Sequence, residues 1–317
     1  MRISLCESCG APLAAAWDRL VVVCSYCGGQ NTPSAPGEPI YPSMPVDSRP
    51  RLNVGGRTWV LTGHLASGDG CDVYQARWVM RLGELAVVKV LRSLSDADLL
   101  RREWTVLERL HASEIQGAVH FAGLLPQPEA FGAVRDRREE RLAAVYRWRP
   151  GFFLTLEDVA RAHPKGIDGR VAAWILKRLL ELLGWVHRAG FVHGSVLPPH
   201  ILVQPRAHGA TLVGWSTAGA AGEPLAAVSR AWSDRYALRT GEPLVPAADL
   251  TMAARAVREL VAGGFPGGLG ALVEEAAAGR WEDAWALRER LDQEIRTAYG
   301  PPSYNPLPMP GWELSKF

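Results

Sequence analysis

A long apolar segment in the second half of the chain restricts the fold more than any other feature. The segment RVAAWILKRLLELLGWVHRAGFVHG, residues 170–194, carries apolar side chains all around a helix rather than along one stripe. A helix of this kind has to be buried on every side. No run of about 18 or more apolar residues occurs, so nothing here is expected to span a bilayer. The segment therefore predicts a helical lobe with this helix at its centre.

The first half of the chain has the pattern of a sheet followed by a helix. Residues 57–78 alternate short apolar runs around a glycine-containing turn, and ELAVVKVLR, residues 84–92, is another β-rich run with one lysine. SDADLLRREWTVLERLH, residues 95–111, then predicts a helix that Ser95 or Asp96 can cap. Its inward positions, at helical spacing, are Leu99, Leu100, Glu103, Val106, Leu107 and Leu110.

The composition is that of an ordinary globular protein. The chain has 317 residues, 48% of them hydrophobic and 21% charged, and a formal net charge of +2. This charge is too small to favour nucleic acid or an anionic membrane as the main partner. The first cysteine comes too early for a signal peptide, so a cytoplasmic location is expected, where disulfides are rare.

Four of the five cysteines form two tight pairs in the pattern C-x2-C-x14-C-x2-C, namely Cys6, Cys9, Cys24 and Cys27. Four thiolates at this spacing predict a structural, tetrahedral zinc site, a zinc ribbon over residues 1–32 with no open position for catalysis. Four unrelated free thiols are the alternative, and two such pairs at ribbon spacing rarely arise by chance. Acidic and basic residues balance in the ribbon, which argues against nucleic-acid binding and favours a structural or protein-contact role.

Prolines recur every third residue from Pro33 to Pro45, which is the period of polyproline II. Residues 33–56 are interpreted as a semi-rigid linker, and a docking ligand for an aromatic groove is the alternative.

The order of strand, glycine turn, lysine strand and helix with an inward acid resembles the small lobe of a eukaryotic-type protein kinase. The resemblance implies that Lys89 is the lysine that contacts nucleotide phosphates and Glu103 the acid that pairs with it. The three glycine-loop positions hold Ala66, Gly68 and Cys71, so only the middle glycine is kept, and Gly70 lies one residue out of register. Close approach of this loop's backbone to nucleotide phosphates is therefore compromised.

The segment FVHGSVLPPHILV, residues 191–203, resembles the kinase catalytic loop with its polar working parts replaced. His193 is kept, whereas Ser195 stands at the catalytic aspartate and His200 at the metal-binding asparagine. In VGWST, Gly214 stands where the family has its magnesium-binding aspartate. No magnesium is expected, and the cleft is expected to bind either nothing or a nucleotide without metal.

Further along, the resemblance implies that Asp249 caps the backbone of the catalytic loop. It also implies that Arg280 pairs with a buried acid, for which Asp234 is a candidate. The proline-rich tail, residues 299–317, is expected to pack along a surface or to bind a partner.

Together these features predict an α+β fold: a zinc ribbon, a linker, a kinase-like β-rich small lobe (residues 57–150), a helical large lobe (residues 151–298) and the tail. The predicted function is that of an inactive pseudokinase that binds or scaffolds protein partners. One alternative is an unorthodox phospho- or nucleotidyltransferase in which His200 is the base or a metal ligand. The other is a nucleic-acid-binding regulator that uses the ribbon.

Overall fold

The computed structural model describes residues 50–136 and 139–309, together with the backbone of two short strands, β1 (Val22–Val23) and β2 (Gln30–Asn31). Backbone contacts divide the chain into one unit of residues 1–43 and 307–317 and a second unit of residues 44–306. In the first unit, β1 pairs antiparallel with β2, and the segment between them contains the second cysteine pair.

The small lobe of the second unit is a six-stranded antiparallel sheet in the order β3-β4-β5-β6-β8-β7. Its strands are β3 (Arg51–Val54), β4 (Arg57–Ser67), β5 (Cys71–Trp78), β6 (Arg81–Leu91), β7 (Pro128–Asp136) and β8 (Glu139–Arg147). The first of these strands lies within the stretch interpreted from sequence as linker.

Two glycines shape the first hairpin of this sheet. Gly55 and Gly56 have φ of 57° and 75°, the left-handed conformation that two-residue hairpin turns require and that glycine adopts without strain. A Cβ at Gly55 would lie 3.1 Å from the Cβ of Ala130, so the turn packs directly on β7. The sheet therefore curls until its two edges approach each other.

Helix α1 (Ala97–His111) packs beside this sheet through the predicted face. Leu100, Glu103, Val106, Leu107 and Leu110 are buried, as the spacing indicated, whereas Leu99, also predicted to point inward, is only partly buried. The cap differs from the prediction: Asp96 precedes the helix but its side chain makes no capping hydrogen bond. Ser93 instead caps a short 3₁₀ turn at Leu94–Asp96.

The large lobe is helical and is built around α4 (Gly169–Arg188), most of which is buried, as predicted. The expectation that this helix is buried on every side is wrong, because Arg170, Arg178 and Arg188 are exposed along one side. It also contains α3 (Leu156–Ala162), α5 (Pro246–Arg258), α6 (Gly267–Ala277) and α7 (Ala284–Tyr299), and the short α2 (Ala118–Phe121) precedes it. Helix α4 packs against both α5 and α7. None of the helices in the described ranges is long and apolar enough to cross a bilayer.

Short strand pairs hold two loops of the large lobe side by side. β11 (Ile201–Gln204) pairs with β12 (Gly209–Leu212), and β10 (Phe191–Val192) pairs with β13 (Gly219–Ala220). The loop of residues 193–200 joins β10 to β11, and the loop of residues 213–218 joins β12 to β13. Because both ends of one loop are paired with the ends of the other, the two loops have to lie in contact. A further strand, β9 (Leu154–Thr155), extends the β11–β12 sheet.

Candidate functional site

A buried carboxylate fixes the start of the 193–200 loop. Asp249, on α5, is fully buried and accepts hydrogen bonds from the backbone N–H groups of His193 and Gly194, each at 2.8 Å. Its carboxylate also lies 2.9 Å from Nε2 of His187 on α4. Burial of a charge is tolerated only when it is paired and hydrogen-bonded, and Asp249 meets this condition. The prediction that Asp249 caps this loop is confirmed.

His193 joins the two loops as a neutral ring. Its Nδ1 accepts a hydrogen bond from the Ser195 N–H and its Nε2 donates to the Val213 carbonyl, both at 3.2 Å. The ring packs edge-on against Trp215, with centroids 4.5 Å apart. Burial lowers the pKa of His193 to about 4, although the nearby Asp249 carboxylate opposes this shift. At neutral pH His193 is therefore a structural support with both nitrogens satisfied.

Ser195, at the position of the catalytic aspartate, is buried in a small polar cluster. Its Oγ lies 2.9 Å from the hydroxyl of Tyr236 and 3.1 Å from Nδ1 of His200. The Tyr236 hydroxyl also accepts a hydrogen bond from the Ser229 N–H at 3.2 Å. The aromatic ring of Tyr236 packs on the apolar cluster of Val192, Leu225 and Leu244. Protein groups thus surround the Ser195 side chain.

His200 and Gly214, which the resemblance aligns with metal-binding positions of the kinase pattern, are in direct contact. A Cβ on Gly214 would lie 2.6 to 2.8 Å from Cδ2, Nε2 and Cγ of the His200 ring, so the imidazole fills the space of a side chain at 214. Gly214 also has φ of 77°, in the left-handed region. The His200 Nδ1 donates to the Ser195 carbonyl at 2.9 Å, and burial lowers its pKa from the ordinary value. The neutral ring therefore carries its proton on Nδ1.

Trp215, next to Gly214, is part of the core. It is fully buried and its Nε1 donates to the Leu212 carbonyl at 3.0 Å. The 3₁₀ turn Trp215–Thr217 packs against α1, so Trp215 links the loop to the small lobe.

Lys89 on β6 and Glu103 on α1 form the ion pair that the resemblance implied. Nζ of Lys89 lies 2.8 and 2.7 Å from the two carboxylate oxygens of Glu103, and the side chains are only 16% and 2% exposed. Burial disfavours the Lys89 charge, but the Glu103 carboxylate outweighs this effect and raises the pKa of Lys89. Burial, together with Glu103, raises the pKa of the neighbouring Tyr146 well above its ordinary value. The pair is a buried one, not a surface contact.

The glycine turn is short and attached to both lobes. It consists of Gly68, Asp69 and Gly70 between β4 and β5, closed by a 2.8 Å hydrogen bond from the Gly68 N–H to the Cys71 carbonyl. The Asp69 carboxylate accepts a 2.9 Å hydrogen bond from the Arg230 N–H of the large lobe. Burial raises the pKa of the Cys71 thiol to about 11, so this third glycine position holds a neutral thiol.

A second interlobe contact lies nearby. Arg102 of α1 forms a salt bridge of 3.2 Å with Glu223, in the segment that follows β13. Together with the Asp69–Arg230 hydrogen bond, it fastens the residues between β13 and α5 to the small lobe.

The suggested partner of Arg280 is wrong. Asp234 is not a buried acid: its side chain is 77% exposed and pairs with Arg235 at 3.4 Å. Arg280 lies just after the C-terminal end of α6 and is itself exposed. Arg235 also pairs with Glu259. The ion pair between Arg235 and Glu259 holds the 3₁₀ segment Arg230–Arg235 against the C-terminal end of α5.

Three residues that close the site were not anticipated from the sequence: Asp69, Tyr236 and Arg230. Asp69 and Arg230 are 161 residues apart, and Tyr236 and Ser195 are 41 residues apart. The segment WSDRY carries no periodicity that indicates which side chain points inward. Only the fact that it follows the 213–218 loop indicated that it lies near the site.

The four cysteines predicted to bind zinc, Cys6, Cys9, Cys24 and Cys27, lie outside the described residues. Within the described ranges, no group of three or more histidine, cysteine, aspartate or glutamate side chains is arranged to hold a metal ion.

Comparison with known proteins identifies the fold. No family model and no curated protein matches this chain. Among solved structures, vaccinia related kinase 3 matches with a TM-score of 0.59 and 16% identity, over 85% of this chain and 96% of that chain. The BubR1 kinase domain matches with a TM-score of 0.57 and 13% identity, over 81% and 86% of the two chains.

The kinase domain of a Toxoplasma gondii specific rhoptry antigen matches similarly, with a TM-score of 0.54 and 16% identity over 78% and 86%. The chain has a protein-kinase-like bilobal fold. At these identities, the matches establish the fold alone.

Replacement of Lys89 by methionine is expected to lower the free energy of unfolding by about 3 kcal/mol, because the Glu103 carboxylate stays buried without its partner. The double variant K89M/E103L removes both charges and should recover most of this loss. Urea unfolding measures both. As a control, Arg81→Ala breaks a pair whose side chains are 65% and 55% exposed, and should cost less than about 1 kcal/mol. Equal effects of K89M and R81A would show that the pair is not buried.

Stability should fall as pH decreases from 6.5 towards 4, because the unfolded chain binds a proton on His193 that the folded chain does not accept. Above pH 6.5 the neutral His193 makes its full contribution to the free energy of unfolding. About 3 kcal/mol of this contribution is lost when the pH reaches 4. Urea unfolding at several pH values should show a flatter pH dependence for His193→Gln than for the wild type. The exposed His120→Gln should leave the slope unchanged. An unchanged slope in H193Q would refute the assignment.

Proposed function

We propose that this chain is a catalytically inactive kinase-like protein, a pseudokinase that acts by binding protein partners. The observation that carries the proposal is the packing of the His200 ring over Gly214. Both positions belong to the magnesium site in the kinase pattern, and here one side chain occupies the space that the other would need.

The chemistry of phosphoryl transfer supports the same conclusion. The reaction needs metal ions to neutralise charge on the phosphates and a carboxylate to orient the attacking hydroxyl. Ser195, His200 and Gly214 supply no carboxylate, and none occurs within five residues of Gly214 on either side. The residues present therefore do not fit magnesium. The Tyr236 hydroxyl also covers the position of the missing base.

Weak nucleotide binding without magnesium is part of the proposal. Lys89 is the residue that would contact the phosphates, and Glu103 holds its ammonium group in place. Gly68 and Gly70 would lie above the ligand in this arrangement. Without a metal, Lys89 is the one cation that the kinase pattern provides for the phosphate charge, so affinity is expected to be low.

A transferase that uses His200 is the alternative, and the 3.1 Å distance from Nδ1 to the Ser195 Oγ favours it. However, Nδ1 also lies 2.9 Å from the Ser195 carbonyl, which can only accept a hydrogen bond. The proton on Nδ1 prevents this nitrogen from taking one from Ser195. The pseudokinase is therefore the better-supported function.

For the N-terminal unit, we propose that Cys6, Cys9, Cys24 and Cys27 hold one structural zinc ion. Four thiolates complete a tetrahedral site, and the metal stabilises a module too small for its own core. The ribbon then adds a second surface for protein contacts.

Full-length protein with ATP and magnesium or manganese should show no phosphoryl transfer to itself or to a generic substrate, and no metal-dependent rise in melting temperature. Phosphoryl transfer would overturn the proposal. Metal-dependent stabilisation that His200→Ala abolishes would favour the transferase.

The contact between His200 and Gly214 can be tested separately. Gly214→Asp should lower the free energy of unfolding by about 2 kcal/mol or more, because the new side chain overlaps the imidazole. H200N/G214D should recover part of this loss. Gly222→Asp is the matched control, because Gly222 also has positive φ, at 90°, but an added Cβ would meet nothing within 4 Å. If G214D and G222D lower the free energy of unfolding equally, the contact between His200 and Gly214 is contradicted.

Elemental analysis of purified full-length protein should find about one zinc ion per chain. C24S/C27S should lose the metal while the main thermal transition of residues 44–306 is retained, because these form a separate unit. A zinc-free wild type with four reactive thiols would refute the ribbon. Salt-sensitive binding to DNA or RNA would favour the nucleic-acid-binding regulator instead.

A further inference from the structure

Three aromatic rings from distant parts of the chain form a stack on the large lobe. Trp174 of α4 stacks on His208, in the β11–β12 turn, with centroids 4.6 Å apart and planes 11° from parallel. Tyr304 of the tail stacks on the other face of His208 at 4.5 Å and 4°. The tail thus inserts an aromatic side chain into a site built from α4 and the turn.

Hydrogen bonds fix the backbone of the tail beside this stack. Nε2 of His208 donates to the Asn305 carbonyl at 2.8 Å, and the Tyr304 hydroxyl donates to the Arg206 carbonyl at 3.4 Å. The side-chain amide of Asn305 donates to the carbonyl and hydroxyl of Ser303, at 3.0 and 3.2 Å. The Asn305 side chain therefore holds residues 303–305 together, and the Asn305 carbonyl is bound directly by His208.

The tail satisfies this site only in part. The Tyr304 side chain remains 56% exposed, and its hydroxyl makes a long hydrogen bond. Nη1 of Arg206 and Nε1 of Trp174 are buried with no acceptor among the described residues. A buried donor without an acceptor is costly, so an occupant that supplies acceptors gains affinity.

His208 itself is held in a strained conformation. Among the described residues it is the one non-glycine with positive φ, at 50°. Its carbonyl accepts a hydrogen bond from Nε of Arg178 at 3.3 Å, which helps to keep the backbone in place. Strain of this kind persists where surrounding contacts determine it, and it is frequent in ligand-binding sites.

We propose that Trp174, Arg206 and His208 form a peptide-recognition groove, here called the tail groove, and that residues 303–306 occupy it as an intramolecular ligand. The partner that fits is a protein segment with a tyrosine, then an asparagine or aspartate, then a proline. The tyrosine stacks on His208, the next carbonyl accepts from Nε2, and a side-chain acceptor satisfies Arg206. This inference rests on the proposed protein-binding function and assigns it a surface.

The tethered tail competes with such a partner. A ligand joined to its site by a short connection has a high effective concentration, so a free peptide displaces it with difficulty. The groove is therefore expected to open to partners whose acceptors fit better than those of the tail. It uses none of the residues of the 193–200 loop.

The test is a fluorescence-anisotropy titration of a labelled peptide with the sequence of residues 301–308, PPSYNPLP, against full-length variants. Tyr304→Ala empties the groove of its own ring, so the peptide should bind Y304A at least tenfold more tightly than the wild type. H208A/Y304A should lose at least tenfold of this affinity. H120A/Y304A, which changes an exposed histidine on α2, should bind like Y304A. A peptide with alanine in place of tyrosine should not bind.

The proposal fails if Y304A does not bind the peptide, if wild type and Y304A bind it equally, or if H208A leaves the affinity unchanged. Circular dichroism and thermal melting establish that each variant is folded before the titration. The proposed function is tested independently, because phosphoryl transfer by the wild type would refute the pseudokinase without changing this titration.

Discussion

The buried carboxylate of Asp249 determines the shape of the central loop. It accepts hydrogen bonds from the backbone N–H groups of His193 and Gly194 and lies against His187, so these contacts are all made within the protein. Removal of a partner from a buried charge costs several kcal/mol, so this arrangement is needed for folding stability alone. None of these groups stands at a position where the kinase pattern requires chemistry. The start of the loop can therefore keep its conformation while the residues at 195, 200 and 214 change, because the hydrogen bonds of Asp249 do not involve their side chains.

The changed positions form a second layer, and their side chains complement one another. Strand pairing at both ends forces the 193–200 and 213–218 loops together, so the volume between His200 and residue 214 is fixed by the backbone. An imidazole on one side requires the absence of a side chain on the other, and Gly214 meets this requirement. Ser195 and the Tyr236 hydroxyl complement each other in the same way. Polar groups that a kinase directs at metal and substrate are here satisfied inside the protein.

The features that could be predicted from the sequence are those that depend on the order of the elements and on periodic spacing. The inward face of α1, the buried α4, the Lys89–Glu103 pair and the role of Asp249 all followed from spacing or from the resemblance. Contacts made by irregular chain were not predictable. Tyr236, Asp69 and Arg230 meet their partners across many residues without a repeating pattern, and Asp234 was placed inside although it is 77% exposed. The contact between His200 and Gly214 requires the strand register, which residue types alone do not provide.

The cleft and the tail groove differ in the hydrogen-bonding capacity that remains for a ligand. At the changed positions of the cleft, Ser195, His200 and Tyr236 satisfy one another, and His200 occupies the space at Gly214. In the tail groove, Arg206 and Trp174 each keep a buried donor that the described residues leave without an acceptor, and His208 is held in a strained conformation. Binding free energy is gained where donors are unsatisfied or strain can be relieved, since a satisfied group only exchanges one hydrogen bond for another. On this physical criterion, the proposed tail groove would offer a protein partner more than the cleft would offer a nucleotide.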